Sequence, residues 1–547
     1  MVTVETEPQE ALTFLPERQK QLFLNPIREL EEDYYDIYIR GIYEIGWPEG
    51  ARRIYEHLAR PNTGAVLGID FGDEGKGRIV DNKLQFMLAH LETVYVDRFQ
   101  GGNNAGHSVE KDGIRVALHL VPSGVMHEQV IGIMDRGMVV HPDLEDEVEY
   151  VEDIVGDTKA KLVLSQEAIL ATDLERVEEL LNRIKQGSAA GGTGRGIGPS
   201  YAHHYDRLGF HVDDLMKNDW RERFKQQYDL YKKNFSIHGL ELAGMDVPDF
   251  RETKKTGKSQ TRKVGEREEY LDRLEQFRSW LIKRDMVKNI YLLHKEIYSD
   301  LSKGILFEGA QALGLHPWLG TRPDVTASDT SAFGIHSGTG FWRTDDVSDR
   351  VGVFKITYTS SVGARVMPTQ VHIGKDIREP NDLPPGASSQ QRWAAFVRNE
   401  AHEFGTTTGR PRDILHIDLE IMRYNCRMSG IEVLAGTHLD IAREGEDVLV
   451  CTHYTKDNQV VPYQPGLRYQ KGIVPNYVKL PGWDGSAARE AKSFEDLPEN
   501  AKKFLAFIQR RIGYPIVIAT TGPDRKDYID IPSFPPEGTL YSAIASH

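Results

Sequence analysis

The chain has 547 residues, and 67 Lys and Arg against 82 Asp and Glu leave a formal charge of −15, which argues against a nucleic-acid coat. With 39% hydrophobic and 27% charged residues, wholesale disorder is excluded. Two cysteines, Cys426 and Cys451, are too few for a disulfide framework or a cysteine-built zinc protein.

The start, MVTVETEPQEAL, is acidic where a secretory leader would be basic and then apolar, and no apolar run approaches the roughly 18 to 20 residues that cross a bilayer. The expectation is a cytoplasmic enzyme with no membrane or nucleic-acid partner. Residues 1 to 62 carry apolar positions at helical spacing, as in LNPIRELEEDYYDIYIRGIYEI, and predict a helical N-terminal extension. A catalytic domain is expected over 63 to 547. It opens with AVLGIDFGDEGKGRIVDNKL, an apolar run, a glycine-rich turn and a helical pattern, the order of a nucleotide-binding α/β unit. Further strands are predicted at TVYVDRF, VIGIMD, AKLVLS, GILFEGA, VGVFKITY, IEVLAGTHLD and PIVIATTG. These predict an α/β fold with a large, mainly parallel central sheet flanked by helices, whose ligands sit over the carboxyl ends of the strands.

Residues from about 213 to 303 read as a charged helical insertion, interrupted by RETKKTGKSQTRKVGERE, which reads as a flexible, solvated loop. The last hundred residues, with PYQPGLRY and LPGWDG, read as more loop than core.

Five clusters carry chemistry. In GDEGKG, from Gly72 to Gly77, three glycines allow close backbone approach to a polyphosphate, the following helix points its amino end at the anion, and Lys76 adds charge. Asp73 inside such a loop would repel phosphate unless it holds Mg2+ or accepts a proton from a second substrate; an ordinary glycine turn is the alternative. FQGGNNAGHSV packs glycines, Asn103, Asn104 and His107 into one turn suited to surround a ligand, with His107 as a hydrogen-bond donor or acid. In GGTGRGIGPSYAHHYDRLG, Thr193, Arg195 and Arg207 suit a monophosphate. In FEGAQALGLHPWLGTRPDVTASDT, Gln311 and Thr326 offer polar groups to a base or sugar, or equally cap local backbone. EFGTTTGRPRD places Arg410 and Arg412 beyond a Thr-Thr-Thr-Gly turn, an anion clamp.

In this order, GDEGKGRIVD, GGNNAGHSV, TGRGIGPSY, FEGAQ, EFGTTTGRPR, THLD and TGPDR resemble the adenylosuccinate synthetase family over residues 64 to 530. The resemblance implies a P-loop-related α/β fold and a ligase that joins IMP and L-aspartate with GTP hydrolysis, usually as a homodimer. It implies Asp73 as the base at the purine N1, His107 as the acid assisting phosphoryl transfer, and Mg2+ on Asp73 and the main-chain oxygen of Gly106. The nucleotide would bind Gly72, Glu74, Gly75, Lys76, Gly77, Arg78 and Arg412, with His438, Asp440, Thr520 and Gly522 around its base. IMP would meet Asn104, Thr193, Gln311, Thr326 and Arg410, and Arg207 of the neighbouring subunit. Thr406, Thr407, Thr408 and Gly409, with the two arginines, would close over aspartate.

The chain departs from the family at Asp70 and Phe71, where Gln-Trp is usual, at His438, where lysine is usual, and at Pro411 within the arginine run. His438 leaves the donor open between GTP and ATP. Alternative readings are a paralogue acting on another 6-oxopurine nucleotide, such as dGMP, and a non-catalytic nucleotide-binding protein.

Overall fold

The computed structural model describes residues 62–532, apart from 112–113, 159–160, 187–191, 362–365, 406–408, 410 and 466–471. The extension expected over 1 to 62 lies outside the described residues but for its last.

A sheet of ten strands forms the centre. In chain order these are β1 (Thr63–Gly68), β2 (Thr93–Arg98), β3 (Val130–Met134), β4 (Leu162–Ser165), β5 (Val287–Lys288), β6 (Lys303–Glu308), β7 (Arg350–Lys355), β8 (Val433–Thr437), β9 (Ile516–Thr520) and β10 (Tyr528–Asp530). Their spatial order is β5-β4-β3-β2-β6-β1-β7-β8-β9-β10, and every pairing is parallel except β9 with β10. All eight strands read from the sequence are present. The two missed, β5 and β10, are short edge strands.

Six consecutive residues of β1 are buried, as a central parallel strand covered on both faces requires. On one face the helix α1 (Lys76–Leu88) buries Ile79, Val80, Leu84 and Met87, spaced as one helical stripe, against Val66, Val94, Val96 and Leu306. On the other, Leu67, Phe307 and Phe354 join a core with Trp342 and Trp483. Because β1 lies between β6 and β7, its following loop emerges at mid-sheet, where parallel sheets bind ligands. Among the described residues no helix is long and apolar enough to cross a membrane, and both cysteines are free and buried.

The structure corrects two expectations. The basic stretch is not a flexible loop: strand Asp246–Asp249 pairs with strand Gln260–Lys263, and helix Phe250–Thr256 lies between them. It is tied down by ion pairs, since Arg262 donates twice to Asp173, both at 2.7 Å. The last hundred residues are not mainly loop: strands Asp447–Lys456 and Val474–Pro481 pair antiparallel, helix Glu499–Ile512 packs on the core, and Trp483 of LPGWDG is buried with its indole N–H on Leu439 O at 2.9 Å.

Asp97, Asp135 and His294 cluster with no exposure, their polar atoms within 4.8 Å of one another. The arrangement opposes a metal. Trp342 Nε1 donates to His294 Nδ1 at 3.0 Å, so a neutral His294 carries its proton on Nε2 and donates it to Asp135 at 2.8 Å. A metal at Nε2 would need an imidazolate. Burial, then the like charge of Asp135, hold the Asp97 carboxyl well above its ordinary value. Its proton is bound more tightly folded than unfolded, so its contribution to stability falls as pH rises. The stability of Asp97→Asn should therefore decline less than that of the wild type as pH rises between about 5 and 9. Urea unfolding across that range checks this; parallel curves would contradict it.

Candidate active site

Loops after β1, β2, β6, β7, β8 and β9 build the site. After β1 the chain turns through Gly72 (φ 92°), Asp73 (φ 60°) and Gly75 (φ 90°) before α1 begins at Lys76. Asp tolerates the left-handed region better than most side chains, and there it carries a carboxylate into the glycine-rich turn. Glu74 points inward: its carboxylate accepts from Gly72 N and from Lys76 Nζ, both at 2.7 Å. An anion arriving at Lys76 competes with that acid. Thr437, at the end of β8, ties the loop down by donating to Glu74 O at 2.8 Å.

Asp70 and Phe71 lie under this turn. Phe71 is buried against Met367, Leu415 and Ile421. Burial, with Glu74 nearby, pushes the Asp70 carboxyl up to about 8, so it is a neutral acid at pH 7.

Asp73 is held from one side. Arg412 Nη2 lies 2.8 Å from Asp73 Oδ2, while Nη1 donates to Glu403 Oε2 at 2.8 Å. Glu403 has no exposure. Its other oxygen accepts from Lys355 Nζ and from Tyr358 OH, both at 2.5 Å. Lys355 and Arg412 overcome the cost of burying this acid and hold it well below the usual carboxylate range. Charges thus alternate from Lys355 through Glu403 and Arg412 to Asp73.

The turn after β2 brings Asn103, Asn104, Gly106 and His107 up beside the loop after β6. A Cβ on Gly101 would stand 2.8 Å from Ala310 Cβ and 3.4 Å from Gln311 Oε1, so the approach requires glycine. Tyr201 joins a third motif to these: its hydroxyl accepts from Gly101 N at 3.1 Å and donates to Gly137 O at 2.5 Å. Among the described residues, the buried atoms Asn103 Oδ1 and Nδ2, Asn104 Oδ1 and Gln311 Nε2 have no hydrogen-bond partner. Unpaired buried amides are costly, and these belong to two of the motifs that meet here.

His107 Nε2 lies 3.4 Å from Glu308 Oε1. Glu308 is anchored by Ser123 N (2.9 Å) and Ser123 Oγ (2.7 Å). Burial first, and then Arg98 and Lys76, push His107 down to about 4 against the pull of Glu308. It is therefore neutral at pH 7 and offers an N–H, not a ready proton; an anionic group on that nitrogen would raise it.

Near β8 and β9, Leu439 N donates to Thr520 O (3.0 Å) and His438 N to Thr520 Oγ1 (3.3 Å). Arg78 donates to Gly522 O and Asp524 O, joining α1 to this end. His438 packs beside Tyr358, and burial with Lys355 pushes it down to about 3. Asp440 meets Arg489 at 2.6 Å.

Of the remaining expected residues, Thr326 N donates to Leu315 O at 2.7 Å, and Thr193 is exposed. Arg207 (φ 64°) is exposed beyond helix Ile197–Tyr205, between the exposed Tyr205 and Leu208. Gly409 is exposed, and Thr406, Thr407, Thr408 and Arg410 lie outside the described residues. Sequence reasoning assigned no role to Glu403, Lys355, Tyr358, Glu308, Tyr201 or Arg489. Glu308 and Glu403 stand inside the quoted FEGAQ and EFGTTTG, and an acid at a strand end or beside an arginine clamp is the signal that could have marked them.

The family model for adenylosuccinate synthetase matches residues 65–529. The chain belongs to the adenylosuccinate synthetase family. It is 35% identical to the adenylosuccinate synthetase of Clostridium botulinum (strain Eklund 17B / Type B) over 473 residues, 86% of this chain and 99% of that protein. It is also 35% identical to that of Caldanaerobacter subterraneus subsp. tengcongensis over 481 residues, again 86% of this chain and 99% of the relative. The fully ligated adenylosuccinate synthetase of Plasmodium falciparum superposes with a TM-score of 0.72 at 27% identity, covering 86% of this chain and all of that one. Membership in the adenylosuccinate synthetase family implies a ligase that forms a C–N bond.

Two outcomes follow from this geometry. Glu403→Ala leaves Lys355 and Arg412 buried without their acid and should cost about 3–5 kcal/mol of stability; a loss under about 1 kcal/mol in urea unfolding would contradict the buried network. In the ligand-free protein, NMR titration should find His107 neutral down to about pH 5, given its value of about 4; titration near 6.5 would show the ring to be solvated.

Proposed function

We propose that the chain is an adenylosuccinate synthetase, joining IMP to L-aspartate with hydrolysis of GTP through a 6-phosphoryl-IMP intermediate, in AMP biosynthesis. One observation carries the reading: a carboxylate, Asp73, stands within the phosphate-binding turn with Arg412 2.8 Å from one of its oxygens. A turn meant only to hold phosphate gains nothing from that charge, whereas a base at the transferring group requires it.

In this scheme Asp73 takes the proton from N1 of the purine, and O6 attacks the γ-phosphorus as GDP leaves. The neutral His107 donates a hydrogen bond to the transferring group and becomes more basic as negative charge gathers there. The aspartate amine then attacks C6, and the C6–O6 bond breaks to release phosphate. Asn104, Thr193, Gln311, Thr326 and Arg410 would hold IMP, the unpartnered Asn104 Oδ1 and Gln311 Nε2 finding their partners on it. Thr406, Thr407, Thr408 and Gly409, with Arg410 and Arg412, would enclose the aspartate carboxylates. Gly72, Glu74, Gly75, Lys76, Gly77 and Arg78 would seat the triphosphate, with His438, Asp440, Thr520 and Gly522 around its base. Arg207, exposed and outward, would serve the neighbouring subunit of a homodimer.

Mg2+ fits the donor set, since the Asp73 carboxylate and the Gly106 carbonyl are oxygens, the ligands this hard cation takes. Bound there, it would supply positive charge that offsets the negative charge gathering on the transferring phosphoryl group.

Asp73→Asn keeps a residue that tolerates φ near 60° and removes the base. It should lower phosphate release with IMP, aspartate and GTP by about 10³-fold while GTP still binds. Turnover within tenfold of the wild type would contradict the assignment.

A further inference from the structure

The Asp440 carboxylate is already engaged. Arg489 donates to its Oδ2 through Nη2 at 2.6 Å and through Nε at 3.2 Å. The acid's side chain is only 6% exposed, while that of Arg489 is 52% exposed. The pair borders a cavity of about 380 Å³ whose wall also includes Phe396, Asp484 and Ser486.

Local structure places the arginine. Trp483, anchored on Leu439 O, precedes Asp484, whose carboxylate caps helix Gly485–Glu490 by accepting from Ser486 N (2.9 Å) and Ala487 N (3.3 Å). Gly485 is pressed onto Asp440, for a Cβ there would stand 2.2 Å from Asp440 O. Residue 489, one helical turn on, then returns over the carboxylate of Asp440.

We propose that Arg489 sets the base preference of the triphosphate donor, shifting it from guanine toward adenine; this rests on the reading of Asp440 as the base-recognising acid. A guanine edge presents two N–H donors side by side and asks for a carboxylate with both oxygens free. An adenine edge presents an amino donor beside a ring-nitrogen acceptor and asks for one oxygen and one N–H. Arg489 occupies Oδ2 through Nη2 and Nε, so the pair offers a base Oδ1 and the remaining guanidinium N–H groups in place of two open oxygens. His438, neutral at pH 7, adds no competing charge. Sites that match a hydrogen-bonding edge discriminate strongly against one that leaves a buried group unpaired.

The test compares kcat/KM for GTP and for ATP, with IMP and aspartate saturating, in the wild type, Arg489→Met, Arg489→Lys and Asp440→Asn. Arg489→Met should raise the GTP-to-ATP ratio at least about tenfold. Arg489→Lys, a single flexible point of charge, should fall between it and the wild type. The ratio is internal to each protein, so partial loss of active material cancels. A ratio unchanged within about twofold, or moved toward ATP, overturns the proposal. Asp440→Asn separates the two ideas. If it alters neither donor, the base-site reading itself fails; if it alters either while Arg489→Met leaves the ratio alone, only the role of Arg489 fails.

Discussion

The Glu403 carboxylate, without exposure and gripped by Lys355, Tyr358 and Arg412, is the contact on which the placement of Arg412 beside Asp73 depends. Arg412 cannot swing freely while one arm of its guanidinium is fixed in a dry pocket, so its other arm arrives beside Asp73 in a set direction. The planar fork makes this possible, because the guanidinium offers donors in a rigid arrangement where an ammonium would not. The acid is costly to bury, and only two cations with a hydroxyl make the burial tolerable. That cost is a reason to regard the network as a device for orientation.

The site therefore has two ends with different electrostatic habits. Around the Gly72–Gly77 turn, Lys76 and Arg412 are partly neutralised by Glu74 and Asp73 respectively, and His107 is kept uncharged by burial and nearby cations. At the other end the Asp440 carboxylate is shared with Arg489, and under the proposed reading the hydrogen-bonding edge the pair presents decides the donor. Arg78 links the ends, since it lies on α1 just beyond the phosphate turn and holds the 522–524 backbone.

Much of this was legible in the sequence. Central parallel strands are buried on both faces and read as nearly continuous apolar runs, which is why β1 and seven others were found. The edge strands Val287–Lys288 and Tyr528–Asp530 are two and three residues long and carry no such signal. Motif order marked Asp73, His107 and Gln311 because glycine and polar residues concentrate there. Long-range pairing was invisible: Lys355 meets Glu403 across 48 positions, and Arg262 meets Asp173 across 89. Charges whose partners lie so far along the chain read as solvated surface, as the basic stretch does. Arg489 escaped notice for the same reason, its partner being 49 positions earlier.

The central claim is that the purine oxygen becomes phosphorylated before it is displaced, with Asp73 making it nucleophilic. The most direct measurement uses IMP labelled with oxygen-18 at O6, incubated with aspartate and the triphosphate, with released phosphate examined by mass spectrometry. The account predicts one heavy oxygen in each phosphate formed. Unlabelled phosphate, with the heavy oxygen recovered in water, would contradict it.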